Sequence, residues 1–209
     1  VVEMYKSIGA DICELTRPHV KYSLATYYII MPCEVSSNLA KFDGIKYGLS
    51  ISDEKDSQVK FISENKSLLE IYLDSKKYGF GPEPKRRIMI GTYALSSGYY
   101  EAYYLRAQKV RTLIRKEFEE AFKEVDLILT PTAPTPAFKL GEKTSDPLEM
   151  YLADIFTVTA NVTGIPAISV PGPEVLMNGK SLPFGFQLMG KWFDEESVLR
   201  AAYAYEVAH

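Results

Sequence analysis

Apolar residues recur at helical spacing between Lys85 and Asp126, which is the longest regular pattern in the chain. Neighbouring members of this stripe are three or four residues apart and therefore fall on one side of a helix. The stripe consists of Tyr103, Ala107, Val110, Ile114, Phe118, Ala121 and Val125. Gly98, which follows two serines, interrupts the pattern because serine and glycine disfavour a helix interior. The pattern predicts two helices, or one kinked helix, that meet at Gly98.

The rest of the chain alternates between helical and extended patterns. Helices are predicted at 1–8, 19–40, 67–77, 146–162 and 194–208, and short strands at 11–15, 126–130, 167–170 and 183–189. Asp146 and Asp194 are expected to cap the helices that follow them. The polar, charge-mixed run 49–66 has neither period and is expected to be a surface insertion. Helices alternating with short buried strands predict an α/β fold.

Composition narrows the class of protein. A chain of 209 residues with 46% hydrophobic content is long enough for a sizeable core, and we expect a single domain over 1–209. The longest uncharged apolar run, Tyr22 to Cys33, is shorter than the roughly 20 residues that span a bilayer, so no membrane partner is expected. The net charge of −3 argues against binding of nucleic acid by this chain without a partner.

The residues that commonly carry chemistry are sparse. Cys13 and Cys33 suit a reducing cytoplasm better than a disulfide framework. A histidine-based triad would have to use His19, for which a surface position is the simpler interpretation. The cysteines and histidines lack metal-ligand spacing, so no metal site is expected. The glycines are never adjacent, which disfavours a phosphate-binding loop or a nucleophile elbow.

Five blocks of sequence carry a family resemblance. They are ATYYIIMPCEVSSNLAKFDGIKYG at 25–48, GFGPEPKRRIMIGTYALSSGYYEAYYLRAQKVRTLI at 79–114, LTPTAPTPAF at 129–138, DPLEMYLADIFTVTANVTGIPAISVP at 146–171 and LPFGFQLMGKWFDEESVLRAAYAYE at 182–206. In this order they closely resemble the C-terminal half of the A-subunit family of glutamyl-tRNA(Gln)/aspartyl-tRNA(Asn) amidotransferases, a branch of the amidase signature family. The start at Val1, without an initiator methionine and within a predicted helix, also suggests a fragment of a longer protein.

The resemblance implies an α/β/α sandwich around a mixed central sheet, of which this chain is the C-terminal part. It also implies glutamine hydrolysis that supplies ammonia for converting Glu-tRNA(Gln) or Asp-tRNA(Asn) to Gln-tRNA(Gln) or Asn-tRNA(Asn). The family's two serines and lysine that perform the hydrolysis are expected upstream. This chain is therefore expected to hold no catalytic residue and to be inactive alone.

The resemblance also implies partners. Subunits B and C are expected to assemble with this one, and misacylated tRNA is expected to bind through the partner subunit. ATP and Mg are expected there too, and no cofactor in this chain. The expected location is the cytoplasm of a bacterium, with an organellar homologue left open.

Free glutamine presents a carboxylate and an ammonium, so a selective site needs a cation for the first and an anion for the second. By resemblance, Arg87 matches the position that binds the α-carboxylate, Asp154 the α-ammonium, and Tyr27 a polar wall contact. Asp154 is expected in the middle of a helix. Arg86 is the competing arginine, and structural ion pairing is the alternative for each charged residue.

Two other functions stay open from the sequence. One is an amide hydrolase of the amidase signature family that acts without tRNA. The other is a non-catalytic binding module made of this half alone. Co-purification with a B-type subunit would separate the first alternative from the tRNA-dependent enzyme.

Overall fold

The computed structural model describes residues 1–49, 67–143, 147–177 and 179–208. The expected insertion at 49–66, apart from Leu49, and the expected cap Asp146 lie outside these ranges. The chain divides into two compact units: unit 1 is Val1–Tyr27 with Gln108–His209, and unit 2 is Tyr28–Ala107. The expectation of one domain over 1–209 stays a prediction.

Helices and short strands share the described chain, which confirms the predicted α/β class. The α-helices are α1 Val2–Ser7, α2 Ser23–Asn38, α3 Leu68–Gly79, α4 Pro82–Leu95, α5 Arg106–Glu124, α6 Pro147–Leu152, α7 Val158–Thr163 and α8 Glu195–Ala208. The strands are β1 Leu127–Pro131, β2 Ala167–Pro171, β3 Val175–Met177, β4 Lys180–Leu182 and β5 Gly185–Gly190. The predicted strands at 126–130, 167–170 and 183–189 correspond to β1, β2 and β5.

Unit 1 is built on a sheet in which β5 lies between β1 and β2, antiparallel to both. Gln187 in β5 is in register with Thr130 of β1 and Ser169 of β2. Helix α8 packs on this sheet, and Asp194 caps it with a 3.4 Å bond from the Ser197 amide, as predicted. The sheet core consists of Tyr5, Val170, Phe186, Leu188, Val198, Ala202 and Tyr205.

The predicted apolar stripe of α5 contributes Ile114 and Phe118 to the second core of unit 1. This α5 core consists of Ile114, Phe118, Phe122, Val162, Ile165 and Met189. Complete burial of a large apolar side chain such as Ile114 contributes about 1.5–3 kcal/mol. Tyr103, predicted to begin the stripe, is instead 42% exposed. It lies in the π-helical turn Glu101–Leu105, whose wider turn changes the direction of its side chains relative to α5.

Trp192, the single tryptophan of the chain, packs beside the α5 core. Its ring meets Phe122 edge to face with 6.2 Å between centroids, and the Arg115 guanidinium lies 4.9 Å from its centroid. The indole Nε1 donates to the Thr163 carbonyl oxygen at 3.1 Å. Both the polar and the apolar parts of this side chain are therefore held within unit 1.

Unit 2 contains α3 and α4 and most of α2. The Ser67 hydroxyl and the Glu70 carboxylate cap the first turn of α3 reciprocally. Gly91 of α4 lies against α2, and a Cβ at this position would overlap the carbonyl group of Pro32. Gly98, after the end of α4, has a φ of 86°, which confirms the predicted break.

Two local predictions are wrong. Residues 11–15 form no strand, and Ile12 is 45% exposed there. An isolated strand is unstable without a partner, and no strand in the described parts of the chain pairs with this segment. The helix predicted at 146–162 is divided into α6 and α7 by a turn at 153–157. No helix in the described residues combines the length and apolar character needed to cross a membrane.

Candidate functional site

Arg87 lies in the first half of α4, which begins with Pro82 at a position where its missing amide hydrogen costs nothing. Its Nε donates to Glu83 Oε1 at 2.7 Å, and its Nη1 lies 3.3 Å from Met31 Sδ. The guanidinium carbon is 5.9 Å from the ring centroid of Tyr28. The guanidinium is therefore oriented by a carboxylate, a thioether and an aromatic ring of the same unit.

Glu83 holds both arginines of the pair. Arg86 Nη2 donates to Glu83 Oε1 at 2.6 Å, and Arg86 Nε donates to Oε2 at 2.8 Å. Hydrogen bonds from Arg86 first and from Arg87 second lower the pKa of Glu83 to about 2. The carboxylate is thus charged at neutral pH. The side chain of Arg87 is 28% exposed, compared with 38% for Arg86.

Asp154 lies in the turn at 153–157 rather than in the middle of a helix, which corrects the sequence-based expectation. Its carbonyl oxygen accepts bonds from the amides of Thr157 and Val158, each at 3.0 Å. The Thr157 hydroxyl donates to the same oxygen at 3.1 Å. These bonds close the turn and connect it to α7. Asp154 is exposed to solvent.

Tyr27 lies in α2 and is half-buried against the α5 core of unit 1. Asp154 also belongs to unit 1, whereas Arg87 belongs to unit 2. The structure thus gives the local setting of each predicted binding residue. The glutamine-binding roles of Tyr27, Arg87 and Asp154 stay predictions.

A cavity of about 570 Å³ opens beside the turn that carries Asp154. Its polar lining comes from the sheet and from the turn with α7: Thr132, Ser169 and Gln187 on one side, Thr157 and Asn161 on the other. The hydroxyls of Thr132 and Ser169 are 2.9 Å apart and hydrogen-bonded. Such a lining of hydroxyl and carboxamide groups can bind a polar ligand without adding net charge to it.

The sequence interpretation named none of these polar lining residues, and Gln187 is the buried one among them. It is only 3% exposed although it is polar, and its Nε2 donates to Phe156 O at 2.8 Å and to Thr130 Oγ1 at 2.9 Å. The signal was present, because Gln187 is the polar side chain inside the otherwise apolar run Gly185–Gly190. A buried carboxamide requires partners, which local sequence patterns do not identify.

His19 has a structural partner, and the two cysteines are not bonded to each other. His19 Nδ1 lies 2.7 Å from Glu117 Oε1, and the same carboxylate accepts the His19 amide. Cys13 is exposed and Cys33 is buried, and both are free thiols. Within the ranges that the structure describes, no group of three or more His, Cys, Asp and Glu side chains is placed to hold a metal ion.

Similar curated proteins share one description, the A subunit of glutamyl-tRNA(Gln) amidotransferase. The chain is 53% identical over 205 residues to the A subunit of glutamyl-tRNA(Gln) amidotransferase from Thermodesulfovibrio yellowstonii, and the match covers 98% of this chain and 39% of that protein. The A subunit of the same enzyme from Pelagibacter ubique is also 53% identical, over 206 residues, with the same coverage. The chain thus spans about two fifths of the length of these curated relatives.

Solved structures with a similar fold include one such A subunit. The chain matches the A subunit of glutamyl-tRNA(Gln) amidotransferase from Thermotoga maritima with a TM-score of 0.64 and 40% identity, covering 97% of this chain and 36% of that one. The 6-aminohexanoate cyclic dimer hydrolase matches with a TM-score of 0.65 at 18% identity, covering 99% of this chain and 39% of that one, which shows a shared fold alone. The model of the amidase family matches residues 1–199. This chain therefore belongs to the amidase family.

Proposed function

We propose that this chain is the C-terminal part of the glutaminase subunit of a tRNA-dependent amidotransferase. In this function glutamine is hydrolysed, and the ammonia converts Glu-tRNA(Gln) or Asp-tRNA(Asn) to Gln-tRNA(Gln) or Asn-tRNA(Asn). The observation that carries the proposal is the 53% identity, over 98% of the chain, to relatives named as the A subunit of glutamyl-tRNA(Gln) amidotransferase.

The proposed contribution of this part is recognition of glutamine. Arg87 receives the α-carboxylate, Asp154 receives the α-ammonium, and Tyr27 contributes a polar wall contact. Support for Arg87 comes from its contacts, since the partners in the described chain engage Nε and Nη1 and leave Nη2 for a ligand oxygen. Support for Asp154 comes from its exposed position beside a neutral polar cavity, which does not compete with it for a cation.

Amide hydrolysis itself is assigned to two serines and a lysine in the upstream part of the full-length protein. Subunits B and C are the proposed partners, and misacylated tRNA, ATP and Mg are proposed to bind through the partner subunit. The complex is proposed to be cytoplasmic. The neutral polar lining of the cavity fits a small amide substrate better than a phosphate, which favours placing ATP elsewhere.

The test is a comparison of the full-length protein, assembled with its B and C partners, with the 209-residue chain alone. We expect the complex to release glutamate from glutamine and to amidate Glu-tRNA(Gln) or Asp-tRNA(Asn) in the presence of ATP. We expect no glutamate release from the isolated chain. A full-length protein that does not co-purify with a B-type partner, or glutamine turnover by the isolated chain, would contradict the proposal.

A further inference from the structure

We propose that Gln187 is a positioning residue that holds Asp154 in place for the α-ammonium of glutamine. The inference rests on the proposed function and adds a specificity-determining residue to it. Gln187 does not touch the substrate in this proposal. It acts through the turn at 153–157, which carries Asp154.

The first step is the geometry of the carboxamide. Gln187 lies in β5, the central strand of the unit 1 sheet, and is 3% exposed. Its Nε2 donates one bond to Thr130 Oγ1 at 2.9 Å and another to Phe156 O at 2.8 Å. A side-chain amide nitrogen has two hydrogens, and both are donated here, one to the sheet and one to the turn.

The second step is the position of the Phe156 carbonyl. Phe156 is two residues after Asp154 in the turn between α6 and α7. Each of these helices has six residues, which is too short to be stable without tertiary contacts. The bond from Gln187 connects this turn to β5, the central strand of the sheet. The turn is thereby fixed in unit 1 from a point 31 residues away in sequence.

The third step concerns the closure of the turn on itself. The carbonyl oxygen of Asp154 accepts the amides of Thr157 and Val158, so Asp154 and Phe156 belong to one closed loop of backbone. Fixing the Phe156 peptide therefore fixes the backbone from which the Asp154 carboxylate projects. A carboxylate that is already oriented binds an ammonium group without a further ordering cost.

This positioning predicts a selective effect on binding. Without the Gln187 bond the turn relaxes, and Asp154 must be ordered each time that glutamine binds. The KM for glutamine then rises while kcat changes little, because the α-ammonium lies away from the amide that is hydrolysed. A substrate without the α-ammonium gains nothing from Asp154 and loses nothing when the turn relaxes.

The experiment uses the full-length protein in its complex with B and C and measures hydrolysis of two substrates. One substrate is glutamine, and the other is 4-carbamoylbutanoate, which is glutamine without the α-amino group. Gln187→Met keeps the length of the side chain and removes both donors. We expect it to raise the KM for glutamine about tenfold, with kcat within about twofold and with 4-carbamoylbutanoate turnover unchanged.

Thr130→Val is the matched control. It removes the acceptor within the sheet and leaves the bond from Gln187 to Phe156 O intact, so we expect an unchanged KM for glutamine. Asp154→Asn should raise the KM for glutamine, and Gln187→Met added to it should raise this KM no further. That lack of additivity is expected when one residue acts through the other.

Three results would overturn the inference: equal losses for the two substrates, an effect of Thr130→Val as large as that of Gln187→Met, or additive effects of Gln187→Met and Asp154→Asn. If Gln187→Met does not fold, Gln187→Asn replaces it, because the shorter amide stays polar but does not reach Phe156 O. A wild-type complex without glutaminase activity would instead refute the proposed function, and the role of Gln187 with it.

Discussion

Arg87 combines three kinds of contact in one side chain: a carboxylate at Glu83, a thioether at Met31 and an aromatic ring at Tyr28. The carboxylate is shared with Arg86, so two guanidinium groups converge on one acidic residue. Arg87 is the less exposed of the two arginines. In the proposed function, Arg86 holds Glu83 in place and Arg87 binds the α-carboxylate of glutamine.

Substitution of Arg87 tests this difference. In the full-length complex, Arg87→Ala should raise the KM for glutamine roughly 10- to 150-fold, since a charge-assisted hydrogen bond contributes about 1.5–3 kcal/mol. Arg86→Ala is the control and should change the KM by less than about threefold, the effect of a surface ion pair. Steady-state kinetics of glutamate release measure both. An unchanged KM in Arg87→Ala would refute the role of Arg87.

Glu83 offers a test that needs no substrate. Its pKa of about 2 lies below the ordinary value of 4.5, so the ion pairs stabilise the folded chain above about pH 4.5 and this contribution is lost as pH falls towards 2. We expect the carboxyl carbon signal of Glu83 in NMR to stay that of the charged form from neutral pH down to about pH 3. Titration with a midpoint near 4.5 would contradict the ion pairs with Arg86 and Arg87.

Residues of the candidate site were predictable to different degrees. Charge and family resemblance named Arg87 and Asp154 as candidates, and their binding roles stay predictions. The four-residue spacing from Glu83 to Arg87, which forms an ion pair, is visible in the sequence. The contribution of Gln187 was not predictable, because its partner Phe156 O is a backbone atom 31 residues away. Side-chain bonds to distant backbone leave no periodic signal in a sequence.

Among the elements, long helices were predicted well and short ones poorly. Helix α5 has 19 residues with a continuous apolar stripe, and Ile114, Phe118 and Ala121 are buried as expected. The segment 146–162 has helical character throughout, yet it folds as two six-residue helices. Inside the turn between them the Phe156 carbonyl accepts a tertiary hydrogen bond from Gln187, which a local sequence pattern does not reveal. Local propensity predicts a helix only where tertiary contacts agree with it.

The contact between α2 and α4 leads to a prediction at the same scale. A Cβ at Gly91 would overlap the Pro32 carbonyl, which is backbone and has little freedom to move within α2. Gly91→Ala should therefore lower the free energy of unfolding by about 1–3 kcal/mol, the usual cost of overpacking. Urea unfolding followed by circular dichroism measures this change.

Gly79→Ala is the matched control for Gly91→Ala. The nearest atoms to a Cβ at Gly79 belong to Leu49 at 4.0 Å, an ordinary contact distance. Alanine there should be neutral or stabilise the protein by up to about 1 kcal/mol, because it restricts the unfolded chain. No loss in Gly91→Ala would contradict this prediction and show that the clash at Pro32 is relieved by movement of the helices.

For the whole molecule, the sequence predicted the α/β class and the strands that form the sheet. The pairing of β5 with both β1 and β2 was not predictable from local patterns, because other elements separate these strands: α6, α7 and β2 lie between β1 and β5, and β3 and β4 lie between β2 and β5. Predicted strand 11–15 illustrates the same limit, since it has strand-like residues but no partner strand in the described chain. A strand is defined by its neighbour as much as by its own residues.

The placement of Trp192 in unit 1 has a spectroscopic consequence. With a single tryptophan in the chain, indole fluorescence on unfolding reports on unit 1, whereas far-ultraviolet circular dichroism reports on the helices of both units. We expect the two signals to change at the same urea concentration, because one boundary between the units falls inside α2, between Tyr27 and Tyr28, and helices unfold cooperatively. Fluorescence that changed before or after the dichroism would reveal two domains that unfold separately. One indole ring thus allows optical spectroscopy to test whether the two units unfold together.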